Sequence, residues 1–120
     1  CAFNQPLHEW NVCKVENMGG MFRHASVFNQ PLAKWNVSNV SNMNSMFENA
    51  ASFNQSLNEW DISKVRHMVF MFHHAWCMNQ SFEQWQIDEK VVNTSGMFRS
   101  TLSEKIGQTP SWYRGALKFY

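Results

Sequence analysis

Apolar side chains along this chain fall into two patterns that alternate and then recur together. One reads Leu7, Trp10, Val12, with Trp and Val flanking a single polar residue, the period of two expected of a short strand. The other reads Met18, Met21, Phe22, Ala25, spaced i, i+3, i+4 and i+7, which gathers four apolar residues on one stripe of a helix. Later units carry the same stripe as Met43, Met46, Phe47, Ala50 and as Met68, Met71, Phe72, Ala75. Asn17, Asn42 and Asn93 stand just before these stripes, where a side-chain oxygen caps a helix; His67 takes that place in the third unit and weakens the cap.

The register is 25 residues, seen in Phe3, Phe28, Phe53 and Met78 and again in Trp10, Trp35, Trp60 and Trp85. Each Trp sits in a near-copy of FNQPLxxWNV. A fixed period of this size predicts a solenoid, in which every unit leaves an apolar face bare for its neighbour to cover. The expected class is α/β, with one short parallel strand and one short helix per coil. Four coils over 3–27, 28–52, 53–77 and 78–101 make up a solenoid of 1–101, and a tail over 102–120 caps the open end with Trp112, Tyr113, Phe119 and Tyr120. The fourth unit slips by one residue, in the turn Asp88-Glu89-Lys90, where an insertion costs least. Equivalent residues of a solenoid lie above one another at about 4.8 Å, so Asn4, Asn29, Asn54 and Asn79 are expected to form an amide ladder, while the four tryptophans stack in the core and do no chemistry.

Composition narrows the function. With 120 residues, 44% hydrophobic and a formal net charge of +1, the chain supports one continuous core and has no electrostatic pull toward nucleic acid or anionic lipid. Its apolar residues are too dispersed for a membrane span, which needs about 20 in succession. Cys1, Cys13 and Cys77 fall at three different places in the repeat and make no regular disulfide framework. The chain opens at Cys1-Ala2 with no initiating Met, so its natural N-terminus is expected to lie elsewhere, and the lack of a targeting segment is uninformative.

The phrase FNQPLxxWNVSNVSNMxxMF, clearest from Phe28 to Phe47, resembles the DUF285 or BspA-like surface-protein repeat family, over Phe3 to about Thr101. That resemblance implies a right-handed, leucine-rich-repeat-like coil, no general catalytic motif, and roles in surface adhesion or interaction. It also implies a cell-surface location; an organellar site peripheral to a membrane complex is the alternative.

Candidate chemistry is sparse. His67, His73, His74 and Cys77 form the densest group of potential ligands, yet neither CxxC nor HxxxH spacing is present, so no metal site is expected. No nucleophile elbow, carboxylate pair or phosphate loop is legible, and neither catalytic residues nor a cofactor are expected. Departures from the repeat are more informative. Where other units carry Gly19-Gly20, Asn44-Ser45 and Ser95-Gly96, the third carries Val69-Phe70, and Trp76 follows where Ser26 and Ala51 stood. Two readings remain open: Val69 and Phe70 pack under the tail with Trp112 and Tyr113, or Val69, Phe70 and Trp76 contact another protein, with Trp112 and Tyr113 as further candidates. A second surface would line up His8, Glu9, Asn11, Lys34, Asn36, Glu59, Asp61, Glu83 and Gln86 on the strand face. The expected function is a non-enzymatic interaction or scaffold module, a peripheral or linker subunit of a larger assembly that can be membrane-associated, with no nucleic-acid partner. Cell-surface adhesion is the alternative.

Overall fold

The computed structural model describes residues 3–7, 9–85, 87–88 and 90–113. His8, Gln86, Glu89, Cys1, Phe119 and Tyr120 lie outside them. The expected α/β solenoid, with a strand and a helix in each coil, is not what this chain forms. Among the described residues the one α-helix is α1, Leu102–Lys105, capped by the Thr101 side chain, and β pairing is limited to isolated parallel bridges at Asn17–Asn42, Asn42–His67 and His67–Asn93. The leucine-rich-repeat likeness fails with it, since that architecture rests on a continuous parallel sheet.

The reason lies in where the backbone N–H groups point. From Met18 to Ala25 they alternate. The amides of Met21, Arg23 and Ala25 turn back to the carbonyls of Met18, Gly20 and Phe22, three residues earlier. Those of Met18, Gly20, Phe22 and His24 instead reach sideways, to Asn42, Asn44, Met46 and Glu48, at 2.8–2.9 Å. No N–H is left for the i−4 bond of an α-helix. The same pattern recurs from Met43 to the third unit and from Met68 to the fourth. We call this run of turns the ladder. Its conformation needs φ > 0 at two places per unit: Gly20, Ser45, Phe70 and Gly96, then His24, Asn49, His74 and Ser100, with φ between 56 and 67°. These are the third positions of tight turns, where a type II turn demands a left-handed residue.

The asparagines expected to cap helices form Asx-turns. The Oδ1 atoms of Asn17, Asn42 and Asn93 accept from the amides of Gly19, Asn44 and Ser95, two residues on. His67 cannot do this, and the second unit compensates: Asn44 Oδ1 accepts from the Val69 amide at 2.8 Å.

The expected strand segment is tied in turns too. Trp35 donates its backbone N–H to Leu32 and Val40 donates to Val37; the first and third units match, and the fourth matches at Trp85, which donates to Phe82. Trp35, Trp60 and Trp85 are buried, and each sends its indole Nε1 to the carbonyl of Leu7, Leu32 or Leu57 in the preceding unit, at 2.9–3.0 Å. Trp10 departs from the expected core position: it is 55% exposed. Along the outer edge the Asn29, Asn54 and Asn79 amides donate to the side chains of Asn4, Asn29 and Asn54, while Gln30, Gln55 and Gln80 donate to the same oxygens.

Inside, phenyl rings form two columns. Phe22, Phe47, Phe72 and Phe98 stack at 5.3, 5.5 and 5.6 Å, and Phe3, Phe28 and Phe53 at 5.6 and 5.9 Å. The columns touch where Phe22 meets Phe28 at 4.4 Å and Phe47 meets Phe53 at 4.2 Å. The extra residue of the fourth unit is absorbed at Asp88, whose carbonyl accepts from both Val91 and Val92.

Trp60→Phe tests the indole bond. Losing the donor orphans the buried Leu32 carbonyl, and the expected cost is about 1–3 kcal/mol. The same change at Trp10, whose indole has no partner among the described residues, should stay within about 0.5 kcal/mol by chemical denaturation. Equal effects at the two sites would refute the assignment.

Candidate functional site

The third unit carries what the others lack. Phe70 occupies a left-handed position, φ 56°, that Gly20 and Gly96 fill elsewhere. A bulky side chain there is a genuine backbone outlier, and strain of about 1–3 kcal/mol persists only where the surroundings enforce it. Those surroundings are specific. The Phe70 ring lies over Gly96 of the next unit, so closely that a Cβ built at Gly96 would stand 2.5 Å from it. Its other neighbour is His73, with ring centroids 4.7 Å apart. His73 in turn meets His74 at 3.9 Å, and His74 meets Trp76 at 5.2 Å. Four rings therefore form one strip on the flank of the third unit, ending in Phe70, 37% exposed, and Trp76, 59% exposed.

A charged row runs beneath it. Glu48 is buried to 9% exposure and bridges two units, its Oε1 3.2 Å from Arg23 Nε and its Oε2 3.2 Å from His73 Nδ1. Burial raises the Glu48 carboxyl, but hydrogen bonds from Ser45 and His73 and the charge of Arg23 outweigh it and leave the group below its ordinary range. His74 is held below its ordinary 6.5, first by burial and then by the charge of His73. Its Nδ1 is buried without a hydrogen-bond partner, which favours the neutral ring.

Both shifts act in one direction. Below 6.5 the unfolded chain takes up a proton at His74 that the folded chain resists, so this stability is complete above that value and falls on acidification. Glu48 contributes above 4.5 and loses its contribution as pH drops through its lowered folded value. Thermal melts should therefore show a falling midpoint in two stages. His74→Asn, which copies Asn49 of the second unit, should remove the upper stage and leave the lower; an unchanged upper stage would show that His74 does not titrate this way.

Of the residues singled out in the sequence, Phe70 and Trp76 stand on this strip and Val69 beside it is half-buried. Trp112 and Tyr113 are elsewhere. They pack on Phe98, at 6.0 and 5.0 Å, and Trp112 Nε1 donates to the Phe82 carbonyl at 2.9 Å. The described part of the tail thus covers the end of the stack. Sequence spacing gives no sign that His73 and His74 join a ring strip with Phe70 and Trp76; that contact appears only in the folded chain. Among the described residues no group of three or more His, Cys, Asp or Glu is placed to hold a metal ion, and Cys13 and Cys77 are free thiols. No described helix is long and apolar enough to cross a membrane.

Residues 1–112 match the family described as "Mycoplasma protein of unknown function, DUF285". No curated protein and no solved structure matches the chain.

Proposed function

Since the chain belongs to the DUF285 family, whose description assigns no activity, we propose that it is a non-enzymatic protein-interaction module, a peripheral or linker subunit that docks on a protein partner through the third unit. The observation that carries this reading is the exposed strip of Phe70, His73, His74 and Trp76, built on a strained backbone. Rigid, partly exposed aromatics are the side chains that dominate interface energies. A bulky aromatic at a left-handed position, where two other units place glycine and the second places Ser45, is a cost that folding alone does not call for. A membrane-associated assembly is one setting for such a subunit. A cell-surface adhesin would use the same strip on an extracellular partner.

The test is Phe70→Gly. Restoring the residue found at Gly20 and Gly96 relieves a left-handed strain of about 1–2 kcal/mol, so the variant should melt no lower than the parent chain. Partner capture from the native source, followed by quantitative binding, should fall by at least tenfold, about 1.4 kcal/mol. Unchanged binding would remove the strip from the interface.

A further inference from the structure

A hollow of about 680 Å³ lies on the turns that precede the ladder and shares no lining residue with the ring strip. Lys14, Asn39 and Lys64, equivalent positions of three successive units, form one row of its lining, and Glu16 and Ser41 form a second. Both rows follow the stack axis, so the hollow is a groove that crosses the units. Its floor is tied together: Asn39 Nδ2 donates to the Cys13 carbonyl at 2.7 Å, and Asn39 Oδ1 accepts from Lys64 Nζ at 2.8 Å. In the second row the amide and hydroxyl of Ser41 both donate to the Glu16 carbonyl, at 2.8 and 3.2 Å. These bonds hold the backbone in register, and what they leave to the groove is side-chain charge.

Two ammonium groups line the groove against one carboxylate. Lys14, Glu16 and Lys64 are exposed, and none is in an ion pair among the described residues. The nearby Asp61 carboxyl is held below its ordinary range first by hydrogen bonds from Ser63, with the charge of Lys64 the least of its causes, so Lys64 is not committed to it. Arg66 is turned away: its Nη1 donates to the carbonyls of Ser63 and Val65, both at 2.9 Å. We propose that this groove binds an acidic peptide segment of a partner, laid in extended form along the stack. Same-face side chains of an extended peptide recur every ~6.8 Å, and the backbones of Lys14 and Lys64 stand two coil spacings apart, about 9.6 Å. Flexible lysine stems carrying three donors each take up the difference. Asn39 already holds Lys64, which therefore loses less freedom when a carboxylate arrives. Glu16 repels acids from the second row and so fixes the row that they occupy.

Fluorescence anisotropy of a short labelled peptide of alternating Glu and Ser, titrated with the full chain, tests this. Lys14→Gln and Lys64→Gln should each weaken binding about threefold, the scale of one exposed ion pair, and together about tenfold. Glu16→Gln should tighten it by about threefold. Arg66→Gln removes the same charge from a side chain outside the groove and should change affinity far less. Salt that shortens the screening length from about 10 Å to about 3 Å should abolish binding. Absence of binding at low salt would overturn the proposal, and so would equal losses from Lys64→Gln and Arg66→Gln, which would reduce the effect to net charge. Tighter binding to phosphatidylserine vesicles, lost in the same lysine variants, would reassign the groove to a membrane surface and likewise sink the peptide assignment.

Discussion

Phe47→Ala is expected to cost about 3–5 kcal/mol, the range for truncating a fully buried Phe. Phe47 has no exposed surface and stands where the two ring columns touch, meeting Phe22 at 5.3 Å and Phe72 at 5.5 Å in its own column and Phe53 of the other at 4.2 Å. The void it leaves has little means of closing. Phe22 is pinned by its amide on the Met46 carbonyl, and residue 47 by its own on Met71, so the backbone on either side cannot slide inward without breaking the ladder. A loss of this size is a large part of the roughly 5–15 kcal/mol that holds a domain together. Urea unfolding should show the midpoint moving with little change in slope. Phe3→Ala makes the comparison: Phe3 ends its column, 38% exposed with one stacked neighbour at 5.6 Å, and should cost about 1 kcal/mol. A Phe47 variant as stable as the Phe3 variant would mean that the columns do not exist as described.

The second large effect is at Gly96. Alanine there meets two separate penalties. Its φ of 64° is unfavourable for any residue with a Cβ, by about 1–2 kcal/mol. The Cβ would also stand 2.5 and 2.6 Å from two atoms of the Phe70 ring, and relieving such overpacking typically costs about 1–3 kcal/mol. The two can be separated. Gly20 has φ 67° with nothing within 4 Å of a Cβ, so Gly20→Ala should show the backbone penalty alone. Phe70→Gly combined with Gly96→Ala should recover the packing part, a coupling that a double-mutant cycle reads directly. Additivity of the two changes would disprove the contact between Phe70 and Gly96.

How much of this was legible in the chain differs by level. The 25-residue register and the inward direction of Met18, Phe22 and Ala25 follow from periodicity, because side-chain spacing reports which residues face the core. The helix did not follow from it. Spacing of i, i+3, i+4 and i+7 says nothing about where an N–H points, and a run of turns with sideways bonds satisfies it equally well. Signals for the turns were present. Gly19-Gly20 sat in the middle of a supposed helix, and Gly20, Asn49 and Gly96 stood at the two places that need φ > 0. Asn17, Asn42 and Asn93 fit an Asx-turn as readily as a cap. The strip was half legible: the apolar departure at Val69 and Phe70 showed in the sequence, whereas the alignment of His73 and His74 with Trp76 depends on the ladder.

The sideways bonds of the ladder also give the stack an electrical sense. At all three junctions its N–H groups point toward the fourth unit and its C=O groups toward the first, so along this flank the peptide dipoles add. The polarity is opposite to that of an α-helix. Within the four units, the first lies toward the negative pole and the fourth toward the positive pole. A carboxylate already sits at that pole, in Glu104 on the Ser100 amide, as an anion sits at the N-terminus of a helix.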